Sequence, residues 1–594
     1  MSQERRNPLF YLYNKMWRYS EGSRGRIVCF MLMFILATSI SLFAQPLIWA
    51  KMIDTIQVGG ITNGNIHALL LLLLITLGIE LLFWILHGPA RVLETTNAFI
   101  ARMNYRRHLL KGILTLPLSW HAEHHSGHTI DKVEKGTSGL YQFSESSFEV
   151  VYGIVQLVGS YVMLAYFCPP AGVIVLVMIL VTAWITMQFD RILVTQYREI
   201  NLKENAISES VFDAVSNIST VIILRVERLV FGSLMQKIEE PFNLVKRNNR
   251  LNEWKWFLTS MCCATMTVLV LGAYFWQNTS DGAGILVGSV YILIQYLEKM
   301  SEVFYRFTTM YGDTLKQKAR VGNAEELSVD FKSENFTNHV LPNDWKTLYI
   351  EDLRFSYGSG ERSAELADIS LSVRRGERIA FVGETGSGKT TLLKVMRDLY
   401  HPQKLLLTVD GRAIPHGFDG IARAIALVPQ DPEIFATTII GNITLGADYD
   451  MEFVRHYTDM ACFTDVADGL PNGFHSSIKE KGVNLSGGQQ QRLALARGLL
   501  ACHDKDIVLL DEPTSSLDTV TEMQIYENIF REFCGKTVIS SIHRLHLLPL
   551  FDRICVFEHG KIIASGTLSE LLRTCPTFLS LWETMKHIVP SDAA

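Results

Sequence analysis

The chain has 594 residues and a formal net charge of -5, with 48% hydrophobic and 19% charged residues and a mean hydropathy of +0.17. That length exceeds what one hydrophobic core organises and calls for at least two domains. The small, mixed charge and the lack of a basic block with interleaved aromatics argue against nucleic-acid binding. Nine scattered cysteines with no C-x-x-C pair argue against a disulfide framework or a cysteine zinc site.

Residues 1–26 interleave Phe10, Tyr11, Tyr13, Met16, Trp17 and Tyr19 with Arg5, Arg6, Lys15, Arg18, Arg24 and Arg26. This predicts an amphipathic elbow helix at the membrane surface rather than a cleavable leader. A bilayer span needs about 20 apolar residues, and six stretches qualify: 27–50, 67–87, 147–168, 171–188, 256–276 and 283–307, the last polar in its second half. The loops 91–135 and 191–255 are rich in Lys and Arg, whereas the short turns around Lys51, Cys168-Pro169-Pro170 and Gln277 carry almost none. The positive-inside rule therefore puts both termini and both long loops in the cytoplasm of a multi-pass cell-membrane protein.

Those loops continue the helical pattern beyond the bilayer, so each reads as a helix pair projecting into the cytoplasm. Within the first, His121, His124, His125 and His128 invite a metal reading, but Pro117 and Gly127 interrupt the helix that their spacing requires, which favours a polar docking loop. The membrane domain is assigned to 27–315, a polar linker to 316–345, and a cytoplasmic domain to 346–594.

In that last domain the apolar run Ile379-Ala380-Phe381-Val382 leads into Gly383-Glu384-Thr385-Gly386-Ser387-Gly388-Lys389-Thr390. Strand, glycine loop and helix in this order form a phosphate-binding loop. Backbone N–H groups from Glu384 to Thr390 wrap phosphates, Lys389 pairs with the β- and γ-phosphates, and Thr390 ligates Mg²⁺, with Thr391 following. The run Ile507-Val508-Leu509-Leu510 ends in Asp511-Glu512, and Leu485-Ser486-Gly487-Gly488-Gln489 opens a helix whose positive end suits an anion. The domain is predicted to be α/β.

Together these stretches resemble the nucleotide-binding domain of the ATP-binding cassette (ABC) family, fused to a membrane domain of the exporter type with an all-α, six-helix transmembrane fold. The resemblance is specific over 348–575 and rests on topology and two coupling segments before that. It implies Asp511 as a Mg²⁺ ligand, Glu512 as the carboxylate acting on the attacking water, and Gln430 as a contact to Mg²⁺ and the membrane domain. It implies His543 as the γ-phosphate switch, Tyr357 as the aromatic stacking on adenine, and Asp518 as part of the D-loop at a cassette interface. Glu480 matches the exporter X-loop, although its neighbours depart from that pattern. Leu116–His121 with His124–Thr129, and Glu204–Ser219 with Leu224–Glu227, resemble the two coupling segments, and Leu118–His121 is similar to a stretch of bacterial cyclic glucan exporters.

In this family Ser486, Gly487, Gly488 and Gln489 close over ATP held by another cassette, so the resemblance implies a pair of chains. A homodimer is simplest because no motif residue is degenerate; a heterodimer stays open. The function implied is an ATPase exporting an amphipathic or large polar solute across the lipid bilayer by alternating access. An importer on the same fold and a nucleotide-gated channel are the alternatives. Glu80, Glu149, Gln156 and Gln188, within or near apolar spans, are candidates for solute contact.

Overall fold

The structure, a computed structural model, describes residues 7–124, 126–280, 287–331, 341–342, 344–357, 365–431, 433–478 and 485–586. The chain divides into two compact units, Met1–Leu116 with His124–Lys332, and Pro117–Glu123 with Ser333–Ala594.

The helices up to Leu327 are α1 (Pro8–Tyr19), α2 (Arg24–Gly59), α3 (Ile66–Leu114), α4 (Leu118–Glu123), α5 (Ser126–Glu145), α6 (Ser147–Phe167), α7 (Pro169–Ser216), α8 (Ile218–Ile223), α9 (Glu227–Glu239), α10 (Phe242–Ser280) and α11 (Val287–Leu327). All but α4 lie in the first unit. Among the described residues, five helical stretches are long and apolar enough to cross a membrane, beginning at Arg24, Ile66, Ser126, Pro169 and Glu227. The sixth expected span is not among them: α11 carries Glu298, Lys299, Glu302 and Arg306 within what would be its bilayer segment, and residues 281–286 lie outside those described. The leucines of α3 at 70, 71, 73, 74, 77 and 81 are exposed, as a lipid-facing surface requires.

The expected elbow is α1, started by Asn7, whose side chain accepts from Leu9 N at 3.0 Å, and by Pro8. It is two-sided. Tyr11, Leu12, Lys15, Met16 and Tyr19 are buried within the protein, while Phe10, 69% exposed, faces outward. Lys15 Nζ lies 2.5 Å from Glu325 Oε2 and Tyr19 donates to Glu325 Oε1 at 3.2 Å, tying α1 to the end of α11.

The span expected at 147–168 starts at a break. Ser146 offers no side-chain cap to α6, and Glu94 of α3 supplies the acceptor instead, taking hydrogen bonds from Ser147 Oγ and Phe148 N, both at 2.7 Å. Arg91 pairs with Glu94 and donates to Glu145 O at 2.7 Å, closing the corner. Below it, α5 approaches α11 so closely that a Cβ at Gly136 would fall 2.3 Å from the Ala324 methyl.

The second unit contains β1 (Thr347–Phe355), β2 (Leu366–Arg374), β3 (Arg378–Gly383), α12 (Lys389–Met396), β4 (Lys404–Val409), β5 (Arg412–Ala413), β6 (Ile425–Val428), α13 (Ile439–Thr444), α14 (Met451–Met460), α15 (Thr464–Asp468), α16 (Gly487–Ala501), β7 (Ile507–Asp511), α17 (Thr519–Glu532), β8 (Thr537–Ser541), β9 (Arg553–Glu558), β10 (Lys561–Gly566), α18 (Leu568–Thr574) and α19 (Pro576–Lys586). One sheet runs β2-β1-β4-β5; the other runs β10-β9-β3-β8-β7-β6 and is parallel from β9 to β6. Its central strands β7 and β8 are buried along their whole length because both faces are covered. Ala380, Val382, Val508 and Leu510 point into one core, and Ile379, Phe381, Ile507 and Leu509 into the other.

Candidate nucleotide site

Parallel strands present their carboxyl ends on one edge, and loops leaving that edge are where such sheets bind ligands. The glycine loop leaves β3, Gln430 follows β6, Asp511-Glu512 ends β7 and His543 follows β8. Sequence-distant residues therefore meet at one rim.

There they line a cavity of about 870 Å³, with Thr385, Gly386, Gly388, Lys389, Thr390, Thr391, Gln430, Glu512 and His543 in its wall. Gly388 caps α12 at φ 103°, a conformation that disfavours any side chain. A Cβ at Gly383 would stand 2.4 Å from Phe557 O and 2.8 Å from Ser387 Oγ. Lys389 is 4% exposed; its Nζ donates to Gly383 O at 2.8 Å and Glu384 O at 3.0 Å. Burial depresses the pKa of that amine, against the pull of Glu512 and Asp511.

Asp511 is buried under the rim, where burial raises its pKa and the Thr390 hydrogen bond partly offsets the shift. Thr390 Oγ1 donates to Asp511 Oδ1 at 2.8 Å. Glu512 adopts φ 47°, outside the usual range for a non-glycine residue. That turn aims its carboxylate at two partners: His543 Nε2 is 2.5 Å from Oε1, and Gln430 Nε2 donates to Oε2 at 3.1 Å.

Two observations test the fit of a nucleotide phosphate and a divalent cation. Ser387 Oγ is buried with no hydrogen-bond partner, an orphan at the loop where phosphate oxygens would sit. No group of three His, Cys, Asp or Glu side chains forms a metal cluster among the described residues. A hydroxyl and a carboxylate at Thr390 and Asp511 are nonetheless the donors Mg²⁺ takes from a protein when it keeps waters and phosphate oxygens as its remaining ligands. Both groups fit.

Other sequence-predicted residues stand outside the cavity wall. Tyr357 is 48% exposed, edge-on to Phe355 and Tyr400 at 4.8 and 4.9 Å. Burial raises its hydroxyl pKa, and a hydrogen bond shared with Thr391 opposes the shift. Ser486 caps α16 in a reciprocal box: Gln489 N donates to its Oγ at 3.3 Å, and Ser486 N donates to Gln489 Oε1 at 2.9 Å. Ser486, Gly487, Gly488 and Gln489 do not line the cavity, nor does Asp518, which caps α17 by accepting from Thr521 N at 2.9 Å. Glu480 lies outside the described residues.

The wall also includes Glu365, His559 and Gly560, which sequence reasoning did not select. His559 and Gly560, at φ 46° and 76°, make the tight turn between β9 and β10. The dipeptide signals a turn, but only strand order brings that turn beside the phosphate loop.

Residues 28–301 match the family model described as ABC transporter transmembrane region, and residues 366–515 match the model described as ABC transporter. The chain is 28% identical over 442 residues to the glutathione/L-cysteine transport system ATP-binding/permease protein CydD of Bacillus subtilis, covering 72% of this chain and 74% of that protein. It is 27% identical over 558 residues to the beta-(1-->2)glucan export ATP-binding/permease protein NdvA of Rhodopseudomonas palustris, covering 91% and 90%. A solved bacterial Atm1-family ABC exporter with ATP bound shares the fold with a TM-score of 0.82 at 21% identity, over 96% of this chain and 99% of that one. With a transmembrane region and an ATP-binding domain fused in one polypeptide, the chain belongs to the ABC transporter family, has the exporter-type fold, and its transport is coupled to ATP hydrolysis.

Proposed function

We propose that two copies of this chain enclose two ATP molecules between their cassettes and use their closure and hydrolysis to export an amphipathic or large polar solute. The observation that carries the pairing is the composition of the cavity wall. Thr385, Gly386, Gly388 to Thr391, Gln430, Glu512 and His543 are in it, and the Ser486–Gln489 helix start is not. An anion-seeking helix N-terminus exposed away from its own phosphate loop supports a site completed by a second cassette. The unaltered Lys389, Glu512 and His543 support two equivalent sites in a homodimer.

In this reading Lys389 and the Glu384–Thr390 amides hold the phosphates, and Tyr357 stacks on the adenine. Mg²⁺, held by Thr390, Asp511 and Gln430, supplies charge neutralisation at the phosphates. Glu512 orients and deprotonates water, His543 fixes the Glu512 carboxylate and meets the γ-phosphate, and Asp518 faces the partner. The differential affinity of ATP for the closed pair biases the membrane helices from inward- to outward-facing. Lys- and Arg-rich loops at 91–135 and 191–255 support a cytoplasmic site for both cassettes and termini. The names of the two relatives above support a polar cargo.

The test is reconstitution. Inside-out vesicles should accumulate solutes that stimulate the ATPase, and a lone subunit hydrolysing ATP at full rate would refute the pairing.

A further inference from the structure

Behind the Glu512–His543 pair lies a buried carboxylate that the reading above does not use. Glu522, in the first turn of α17, is 3% exposed. Its Oε1 accepts from Thr514 Oγ1 at 2.6 Å and its Oε2 from Arg544 Nη1 at 3.2 Å, and His546 Nε2 lies 3.1 Å from that same Oε2. Arg544 also donates to Leu517 O at 2.6 Å and Ser515 O at 3.0 Å. Its guanidinium therefore pins the segment after Glu512 to the segment that carries His543.

We propose that Glu522 is a positioning residue for ATP hydrolysis: through Arg544 and Thr514 it clamps residues 514–517 to the His543 segment and holds the imidazole against Glu512. On its other side His543 follows Ile542, whose N donates to Phe381 O at 3.0 Å. The histidine is thus held between a β-sheet bond and the Arg544 fork. A buried carboxylate carries a desolvation penalty, so an apolar residue would fill this space at lower cost. The helix dipole and two donors make the charge tolerable, and Arg rather than Lys is required because one side chain must reach two carbonyls and a carboxylate. Gln491 Nε2 donates to Ser515 Oγ at 3.0 Å and Ser516 N donates to Gln491 Oε1 at 2.8 Å, so the clamped segment is also tied to α16.

The clamp rests on the hydrolytic reading of Glu512 and His543. Its test compares Glu522→Gln, Arg544→Lys, His543→Ala, the doubles on His543→Ala, and Glu512→Gln, in the purified full chain, by ATPase kinetics, ATP binding and thermal unfolding. The expected result for Glu522→Gln and Arg544→Lys is a kcat lowered on the order of tenfold with ATP affinity within about twofold. On the residual rate of His543→Ala neither substitution should lower turnover further, because a group acting through His543 has nothing left to position. Wild-type kcat in both variants, or losses that multiply onto His543→Ala, overturns the clamp. If both variants unfold at lower temperature and lose ATP affinity together with kcat, Glu522 is a structural group and the clamp is likewise overturned. Full turnover in Glu512→Gln removes the hydrolytic reading itself; an inactive Glu512→Gln beside an undiminished Glu522→Gln overturns the clamp alone.

Discussion

Replacing Glu512 by Gln is the most direct probe of the site, because it changes one charge and almost no volume. The carboxylate has His543 Nε2 at 2.5 Å from one oxygen and accepts from Gln430 at 3.1 Å on the other. A glutamine offers a single acceptor, so its NH₂ must confront one of those two donors, and the group can no longer take a proton from water. A positioned general base is worth about 10²- to 10⁴-fold, or about 2.7–5.4 kcal/mol at about 1.36 kcal/mol per decade. Turnover should therefore fall by at least about a hundredfold. Lys389, Thr390 and Gly388 are untouched and the cavity becomes less negative, so ATP affinity should hold within about twofold or tighten. Phosphate release and equilibrium nucleotide binding on the same preparation measure the two quantities. A rate within about threefold of wild type would remove Glu512 from proton transfer.

Lys389→Ala removes a buried ammonium whose bonds to charged groups are worth about 1.5–3 kcal/mol, so ATP affinity should drop at least about tenfold in a binding titration. Glu94→Ala leaves Arg91 without its carboxylate and the α6 N-terminus without its acceptor and should lower stability by about 3–5 kcal/mol, read by thermal unfolding in detergent, with a smaller loss for Glu94→Gln. Burial pushes the Cys502 thiol from 9.0 up to about 12, so at pH 8 only about one part in 10⁴ is thiolate. Maleimide should label exposed Cys534 and spare Cys502 in the folded protein. Because the unfolded chain loses this proton first, Cys502 should also erode stability as pH rises from 9.0 towards about 12; equal labelling of both cysteines would contradict its burial.

Much of the site was legible because its parts are local. Gly383 to Thr390 offers its amides from one continuous turn, and the strand before it is recognisable by its apolar run. The Ser486–Gln489 cap is likewise a short-range device, visible as Ser followed three residues later by Gln. The elbow helix was legible in outline and incomplete in detail: its periodicity marks a buried face, but periodicity does not distinguish lipid from protein as the cover, and Lys15 finds Glu325 inside the protein. The sixth expected span, polar in its second half, carries charges that count against a bilayer helix by composition although a fold can pair them. Arg306 and Glu302, 2.8 Å apart on α11, are such a pair.

Motif order, the apolar spans and the α/β character of the second unit follow from the linear chain, because each depends on residues within a few positions of one another. Glu94 capping a helix 53 residues away, the β9–β10 turn bordering the phosphate loop, and Glu522 joined to Arg544 were decided by the fold. They depend on which strands and helices become neighbours, and a hydrogen bond between distant segments leaves no periodicity in the sequence that carries it.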